Sequence, residues 1–319
     1  MNKVLTVSIA AYNVSNYLDR ALQSLISSGE TLDKLDVIIV DDGSKDNTAE
    51  IAARYQTLYP NSITVINKEN GGYGSTINTS IRVARGKFFK LLDGDDWFDG
   101  EGLSQFVRFL EQSETDVVFT KYALHYEPEL KREKIVEQSY PYDVVLPIES
   151  VNRQCMHAFA VKTELIRDVS IQENCFYTDA EFFIKAVSKA EQFVSINCLV
   201  YCYRLGRNEQ SVSYNSLIKH KLDRDYIVKN CSTMVFSSQK LSGMRNERRK
   251  YLFSHLVFLV LIPHNQENRE MYYSLCAFLK ENRAILKKMN PVAKICALFP
   301  KISYRVFYPL FKLAKRQSN

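Results

Sequence analysis

The chain has 319 residues, of which 46% are hydrophobic and 24% are charged, with 11 glycines and eight prolines. This composition suits one large globular body or two domains with a sizeable core, and it excludes a wholly disordered, collagen-like or low-complexity chain. The net charge is +6, but residues 280–319 alone hold ten Lys or Arg and a single acid. The positive charge therefore belongs to the C-terminal tail, and the rest of the chain is slightly acidic.

Cysteine usage and hydropathy indicate a cytoplasmic protein. The seven cysteines are odd in number and contain no Cys-x-x-Cys pair, which indicates a reducing compartment and cysteines that pack in the core. The apolar run at residues 4–11 is too short and mixed for an export signal. The best later run, at 252–262, is well below the roughly 20 residues that a membrane-spanning helix needs. We expect no transmembrane segment.

From residue 4 to residue 121, short β-rich runs alternate with helical patterns. The predicted strands are 4–10, 36–40, 63–67, 88–92 and 116–121. Between them, apolar residues recur at helical spacing in four groups: Leu18, Ala21, Leu22 and Leu25; Ile51, Tyr55 and Leu58; Ile77, Ile81 and Ala84; Leu103, Phe106, Val107 and Leu110. This alternation predicts an α/β fold with a mostly parallel central sheet flanked by helices.

The pattern changes after residue 121. Residues 122–150 are polar and contain prolines, so we predict irregular structure there. A helix is expected at about 179–190 and a strand at 193–203, and beyond about 213 the chain is mainly helical. We place a domain boundary near 215, which gives an α/β domain at 1–215 and a helical C-terminal region at 216–319.

Polar side chains follow three of the predicted strands: Tyr12 and Asn13, then Asp41 and Asp42, then Asp93, Asp95 and Asp96. In open α/β sheets, ligands bind beyond the carboxyl ends of the strands, so these residues are site candidates. Three carboxylates within four residues repel one another, and a divalent cation bound through oxygen relieves that repulsion. For the third group alone, the alternative is an exposed loop that caps the next helix.

Four segments, in this order and spacing, resemble the family 2 glycosyltransferases of the GT-A fold: residues 7–13 (VSIAAYN), 37–46 (VIIVDDGSKD), 70–72 (NGG) with Asn78, and 86–96 (GKFFKLLDGDD). The resemblance implies a nucleotide-sugar site, with the nucleotide held by Ala10, Tyr12, Asp41, Asp42, Asn70 and Asp93. It also implies that Asp93 and Asp95 bind Mn²⁺ or Mg²⁺. Such an ion neutralises the charge that grows on the departing nucleoside diphosphate. The stretch at 73–78 lacks the Ala-Arg pair that precedes Asn in many relatives.

The resemblance further implies a carboxylate general base about 80 to 100 residues beyond the Asp-x-Asp motif. Asp179, within the sequence CFYTDAEFF at 175–183, fits that place. Because Asp179 opens a helical pattern, a helix N-cap is the alternative interpretation. Thr178 stands where relatives commonly carry an acid, so Glu181 also remains a candidate base.

Three further residues have functional and structural interpretations. His157 resembles a histidine near the donor phosphates or the acceptor in some relatives, with a structural histidine as the alternative. Arg204 and Arg207 are candidates for the diphosphate, with surface charge as the alternative. The Gln-x-x-Arg-Trp motif of processive synthases is absent from the sequence, which favours transfer of a single sugar.

Together with the resemblance, these features predict a metal-dependent inverting glycosyltransferase that moves one sugar from a nucleotide-sugar to a glycan or lipid-linked acceptor in cell-surface polysaccharide synthesis. The resemblance implies that the donor is a UDP-sugar. The tail interleaves apolar and basic residues, which suits an anionic membrane surface on the inner face of the cell membrane, or else a packed helical hairpin. No nucleic-acid partner is expected. The alternative functions are a nucleotidyltransferase that makes a nucleotide-sugar and a non-catalytic sugar-binding relative. The first would need a Gly-rich basic loop after the first strand, which residues 11–15 do not provide.

Overall fold

The structure, a computed structural model, describes residues 2–27, 29–128, 131–152, 156–207, 210–211, 213–262 and 265–307. The chain divides into two compact units. The first, here called the sheet unit, comprises Met1–Ile148 and Gln154–Ser213, and the second, the helical unit, comprises Glu149–Arg153 and Tyr214–Asn319. No sequence pattern indicated that the short segment at 149–153 belongs with the second unit.

Ten strands of the described residues form one sheet. Their bounds are β1 Leu5–Ala11, β2 Leu35–Asp41, β3 Ile63–Asn67, β4 Phe88–Asp93, β5 Trp97–Phe98, β6 Val117–Tyr126, β7 Lys131–Val136, β8 Val145–Pro147, β9 Phe159–Lys162 and β10 Gln192–Leu205. The order is β3-β2-β1-β4-β9-β6-β10-β5, with β7 beside β6 and β8 beside β10. Strands β3, β2, β1 and β4 are parallel neighbours, so their carboxyl ends meet at one edge of the sheet.

Helices pack on the sheet in the first unit and on one another in the second. The sheet unit contains α1 Ser15–Ile26, α2 Thr48–Leu58, α3 Tyr73–Val83, α4 Gly100–Gln112 and α5 Thr178–Lys189. The helical unit contains α6 Tyr214–Lys219, α7 Lys221–Ser237, α8 Arg245–Leu261, α9 Gln266–Glu281, α10 Arg283–Lys288 and α11 Pro291–Leu298, followed by helical residues at 300–307. Among the residues that the structure describes, no helix is long and apolar enough to cross a membrane.

The α/β class, the flanking helices and the helical C-terminal region are confirmed. The predicted parallel arrangement holds for β1 to β4 and for β6 with β10. The whole sheet is mixed, because β5, β7, β8 and β9 join it in antiparallel fashion. The run at 37–40 is fully buried in β2, as expected for a central strand covered on both faces. Helices α1 and α4 each bury all four predicted apolar residues. In α2 the prediction was wrong for Leu58, which is 62% exposed. The buried face of this helix consists of Thr48, Ala52 and Tyr55, at intervals of four and three residues, and Leu58, the last residue of the helix, lies beyond the covered part.

The prediction of irregular structure at 122–150 was only partly right. Strand β6 extends to Tyr126, and β7 pairs with it in antiparallel fashion. Strand β8 contains a proline and is largely exposed. Its three residues therefore lack the hydrophobic pattern from which a strand is predicted. Strands β5 and β9 were not predicted either, because each is short and is defined by pairing with strands that are distant in sequence.

The interpretation of the cysteines as core residues is confirmed for the six that lie in the described part of the chain. Cys175, Cys198, Cys202, Cys231, Cys276 and Cys296 are all buried and carry free thiols. Cys155 lies outside the described residues.

A buried histidine lies in the core of the helical unit. His255 on α8 is fully buried, and its Nε2 lies 3.0 Å from Oδ1 of Asp225 on α7. Lys229 donates to the other oxygen of Asp225 at 2.6 Å. Burial lowers the pKa of His255 below its usual value, the hydrogen bond with Asp225 opposes that shift, and the charge of Arg224 adds to it. His255 is therefore neutral in the folded protein near neutral pH.

We expect the helical unit to lose stability as the pH falls below about 6.5, the ordinary pKa of an unfolded histidine. Because His255 has a lower pKa when folded, the unfolded chain takes up a proton first, and acid favours unfolding. Between pH 7.5 and 5.5 the loss should reach up to about 1.4 kcal/mol. Urea unfolding of wild type and His255→Gln at both pH values measures it. An equal pH dependence in the two proteins would contradict this role of His255.

Candidate functional site

The structure brings the predicted polar residues to one edge of the sheet. In the register of the parallel strands, Ala10 on β1 is paired with Asp93 on β4, and Ala11 is paired with Asp41 on β2. Tyr12 follows β1 directly and its side chain is 50% exposed. The candidate nucleotide residues of these three strands therefore lie side by side.

Asp42 holds the loop that follows β3. Its buried carboxylate accepts hydrogen bonds from the backbone N–H of Gly71 at 2.9 Å and of Gly72 at 2.8 Å, and it pairs with Nζ of Lys68 at 2.8 Å. The side-chain amide of Asn70 donates to the carbonyl of Asp42 at 2.9 Å. Gly72 has a φ of +78°, which favours glycine. Asp42 and Asn70 thus fix the shape of this loop, and their contact with a nucleotide stays a prediction.

The loops after β1 and β2 are tied to each other. The carboxylate of Asp41 accepts from the hydroxyl and the backbone N–H of Ser44. The Ser44 hydroxyl in turn accepts from the backbone N–H of Asn13 at 3.0 Å, and the Asn13 side chain accepts from the backbone N–H of Lys45 at 2.8 Å. These bonds hold both loops in place beside Tyr12.

Three carboxylates gather at the end of β4. Oxygens of Asp93, Asp95 and Asp96 lie within 4.8 Å of one another. Asp96 is buried and engaged by the protein, because it accepts from the hydroxyl of Tyr201 at 2.5 Å and from the backbone N–H of Arg204 at 2.7 Å. Asp93 and Asp95 are half-buried. These two are therefore the better placed to contact a ligand.

The electrostatics of this acidic cluster favour a bound cation. Burial and the neighbouring charge of Asp95 raise the pKa of Asp93 to about 7, although a hydrogen bond from Tyr73 opposes the shift. Burial and the charges of Asp95 and Asp93 also raise the pKa of Asp96. Carboxylate oxygens this close, in a place that penalises negative charge, are the hard donors that Mn²⁺ or Mg²⁺ prefers. The residues present thus fit a divalent ion.

Two tyrosines of the site were not predicted from the sequence. Tyr73 is the first residue of α3, and its hydroxyl donates to Oδ1 of Asp93 at 2.7 Å. Tyr201 on β10 donates to Asp96 and accepts from the backbone N–H of Asp93 at 3.2 Å. Tyr73 stands in the stretch at 73–78, where the sequence departs from the pattern of the relatives. That departure is only a weak indication of a functional residue. Nothing in the sequence separates Tyr201 from other buried strand residues.

Asp179 lies near the acidic cluster. Its charge contributes to raising the pKa of Asp93 and of Tyr73. Helix α5 begins at Thr178, and the cap position is Tyr177, which has a φ of +64°. Asp179 is thus the second residue of the helix and not its N-cap, and a negative charge in this first turn also favours the helix.

The segment before Asp179 is hydrogen-bonded to the middle of α3 and to the loop that precedes this helix. The side chain of Asn78 donates to the carbonyl of Ile171 at 2.9 Å and accepts from its N–H at 2.8 Å. The N–H of Asn174 donates to the carbonyl of Gly71 at 2.7 Å. The loop that Asp42 holds is thus connected directly to the segment that leads to Asp179.

Glu181, the other candidate base, has a structural role. It is buried, accepts from the backbone N–H of Gln172 at 3.0 Å, and pairs with Lys185 at 2.6 Å. A carboxylate engaged in this way fixes the loop at 171–174 and is poorly placed to take a proton from a substrate. Asp179 is the better candidate.

His157 is packed among aromatic rings. Its ring stacks on Tyr203 with centroids 4.2 Å apart, and within the described residues its Nδ1 has no hydrogen-bond partner. Burial and the charge of Lys90 lower the pKa of His157 to about 3. The ring is therefore neutral at physiological pH, which favours the structural interpretation.

The two candidate arginines differ in their contacts. Arg204 is buried, donates to the carbonyl of Asp95 at 2.7 Å and pairs with Glu127. Arg207 pairs with the carboxylate of Asp95 and lies over the ring of Tyr17, 4.3 Å from its centroid. Arg204 is thus part of the scaffold, while Arg207 stays a candidate for the diphosphate.

Comparisons with known proteins give relatives over parts of the chain. The chain is 37% identical to Bacillus subtilis EpsH over 123 residues, which cover 39% of this chain and 35% of EpsH. It is 22% identical over 254 residues to the B. subtilis minor teichoic acid biosynthesis protein GgaB, covering 78% of this chain and 27% of GgaB. The chain therefore matches about a third or less of the length of these relatives.

The fold resembles that of a solved structure, and a family model matches the sequence. S. aureus TarS 1-349, crystallised in complex with UDP-GlcNAc, superposes with a TM-score of 0.72 and 18% identity, covering 99% of this chain and 92% of that one. This similarity supports the GT-A-like fold. The model of glycosyl transferase family 2 matches residues 6–165, half of the chain, and the protein therefore belongs to the family 2 glycosyltransferases.

Proposed function

We propose that the protein is a metal-dependent inverting transferase that moves a single sugar from a UDP-sugar to a glycan or lipid-linked acceptor in cell-surface polysaccharide synthesis. The observation that carries the proposal is the cluster of Asp93, Asp95 and Asp96 at the end of β4, at the sheet edge that also holds Asp42 and its loop. The charge of Asp179 acts on Asp93 of this cluster. UDP-GlcNAc in the TarS structure supports a UDP-sugar donor, and the name of GgaB, a minor teichoic acid biosynthesis protein, supports a polymer of that kind as the product.

The nucleotide would lie along the ends of β1, β2 and β4. Tyr12 offers an exposed aromatic ring to a base, and the backbone at Ala10 lies beside Asp93. Asp41, Asp42 and Asn70 keep the surrounding loops in shape. We expect these fixed loops to determine which nucleoside the donor must carry in order to bind.

Asp93 and Asp95 would hold the divalent ion, and Asp96 would support them from its buried position. When bound, the ion supplies positive charge to the diphosphate as it leaves. A mannosyltransferase from Pyrobaculum calidifontis, solved with GDP-Man and Mn²⁺, superposes with a TM-score of 0.50 at 16% identity. Its bound Mn²⁺ supports a divalent ion in this chain as well.

Asp179 would act as the general base. It takes the proton from an acceptor hydroxyl while that oxygen forms a bond to the anomeric carbon of the donor sugar. The bond from the anomeric carbon to the diphosphate oxygen breaks in the same displacement, and the nucleoside diphosphate leaves with the electron pair. Attack from the face opposite the leaving group inverts the anomeric configuration.

The proposal is tested by incubating the purified chain with UDP-GlcNAc, UDP-Gal, UDP-Glc and GDP-Man, each with Mn²⁺ and with EDTA, with water as the acceptor hydroxyl. Nucleotide release and the anomeric configuration of the product are measured. We expect release of UDP from at least one UDP-sugar with the ion, none with EDTA, and inversion. Release that persists in EDTA, or a retained configuration, would contradict the mechanism. Synthesis of a nucleotide-sugar from UTP and a sugar phosphate would instead support nucleotidyl transfer.

The location of the enzyme in the cell is part of the same proposal. A lipid-linked acceptor would be presented at the inner face of the cell membrane, and the basic tail would bring the enzyme to that anionic surface. The predicted tail beyond residue 307 lies outside the described residues, but residues 280–307 are described.

A further inference from the structure

The C-terminal end of the helical unit exposes a run of large apolar side chains. They are Ile295, Leu298, Phe299, Ile302 and Val306, each between 47% and 64% exposed. They belong to α11, to the residue that follows it and to the helical residues at 300–307, and they recur mostly at intervals of three or four. We call these five residues the apolar strip.

The strip is exposed although the helices that carry it are firmly packed. On α11, Ala293, Cys296 and Ala297 are buried in the core of the helical unit. In the next helical turns Ser303 and Tyr304 are buried, and the Ser303 hydroxyl lies 2.8 Å from that of Tyr272. The inner side of both segments is therefore anchored. The strip is the opposite side, held outward by that packing.

Basic groups accompany the strip. Between residues 280 and 307 there are seven Lys or Arg and one acid, Glu281: the basic residues are Lys280, Arg283, Lys287, Lys288, Lys294, Lys301 and Arg305. Six of the seven are exposed and Lys294 is half-buried. Within the described residues, no carboxylate forms an ion pair with any of them. Lys301 and Arg305 directly precede Ile302 and Val306 of the strip in the sequence.

The exposed apolar side chains and the basic residues together indicate which kind of surface binds to the strip. In a two-fold dimer, a second copy of the chain would place its own residues 280–307, with seven Lys or Arg and one acid, against those of the first. Like charges repel, which disfavours such a dimer. A nucleic acid would satisfy the charges but would leave the apolar side chains in water. An anionic lipid bilayer satisfies both, because apolar side chains enter the boundary of the acyl chains while Lys and Arg stay among the phosphates.

We propose that the apolar strip and its basic residues form a membrane-docking face for anionic lipid bilayers. The inference rests on the proposed function, since docking there brings the enzyme to the surface that holds a lipid-linked acceptor. The docking face is the outward side of two short, folded helical segments. Insertion of apolar side chains and attraction between basic residues and anionic lipids act together in attachment. Attachment should therefore respond to loss of either component.

The test uses the full chain and two kinds of vesicle, phosphatidylcholine alone and phosphatidylcholine mixed with phosphatidylglycerol, with flotation as the readout. Wild type should float with the anionic vesicles and little with the neutral ones. The double variants Phe299→Ser with Ile302→Ser, and Lys301→Glu with Arg305→Glu, should each bind at least about tenfold more weakly. Matched controls on the sheet unit are Leu58→Ser, at an exposed leucine, and Arg108→Glu, at an exposed arginine. Both controls should bind like wild type.

Turnover of the UDP-sugar without vesicles separates this inference from the proposed function. The strip variants should keep wild-type turnover in solution, because none of the four replaced residues belongs to the catalytic site. If no protein turns over a sugar but wild type still binds anionic vesicles, only the proposed function fails. If the strip variants bind anionic vesicles as wild type does, or if wild type does not bind them, the docking face is overturned. A dimer in light scattering that the strip variants abolish would assign the strip to a second copy and also overturn it.

Discussion

Replacing Asp179 by Asn should lower turnover by about 10²- to 10⁴-fold while UDP binding stays close to that of wild type. The amide keeps the shape of the side chain but cannot take a proton from the acceptor. Because Asp179 is the second residue of α5 and is not its cap, the helix should form normally. Steady-state turnover and UDP binding by calorimetry, measured on the same preparation, check the result.

Glu181→Gln is the matched control for this prediction. Its carboxylate holds the loop at 171–174 and pairs with Lys185, so the variant should unfold at a lower temperature but retain most of its turnover when folded. The opposite outcome, with Asp179→Asn fully active and Glu181→Gln folded but inactive, would transfer the role of base to Glu181.

Replacing Asp95 by Ala should remove the effect of the divalent ion on nucleotide binding. In wild type, UDP together with Mn²⁺ should raise the melting temperature more than UDP alone, because a ligand that binds only the folded state stabilises it. The variant should lose that difference, and its turnover should fall by about 10²- to 10³-fold, as when charge stabilisation of a transition state is removed. Thermal shift measurements with and without Mn²⁺ give the first result.

Asp99→Asn is the control for Asp95. Asp99 lies four residues further along, outside the acidic cluster, and caps α4 by accepting from the backbone N–H of Gly102. Asparagine also caps helices well, so this variant should keep the Mn²⁺-dependent stabilisation. If Asp95→Ala kept it too, Asp95 would not be a ligand of the ion.

The sequence was sufficient to predict the sheet edge of the site because its signals there are local. The buried run at 37–40 and the acids that follow β2 and β4 define strand ends without knowledge of the tertiary structure. The parallel order of the strands then places those ends together. The general class of fold and the candidate residues Asp42 and Asp93 followed from this reasoning.

Other parts of the site depend on contacts between distant segments. Tyr73 reaches Asp93 across 20 residues of sequence, and Tyr201 reaches Asp96 across 105. No periodicity or spacing encodes such contacts. The preference for Asp179 over Glu181 as the proposed base likewise rests on the hydrogen bond from Gln172, which exists only once α5 and its preceding loop are folded.

The C-terminal tail also combines a feature that the sequence could predict with one that it could not. Its composition left open either a membrane surface or a packed helical hairpin. In the described part, Cys296 and Tyr304 pack inward while Leu298 and Ile302 point outward. Composition alone could not assign individual residues to these two sides, because both contain apolar side chains.

The most direct measurement of the central claim is X-ray diffraction at the manganese absorption edge from crystals grown with Mn²⁺ and UDP. An anomalous peak in contact with the carboxylates of Asp93 and Asp95 and with the diphosphate of UDP is the predicted result. Bound UDP without such a peak, or with the manganese elsewhere in the protein, would contradict a metal-dependent site at the end of β4.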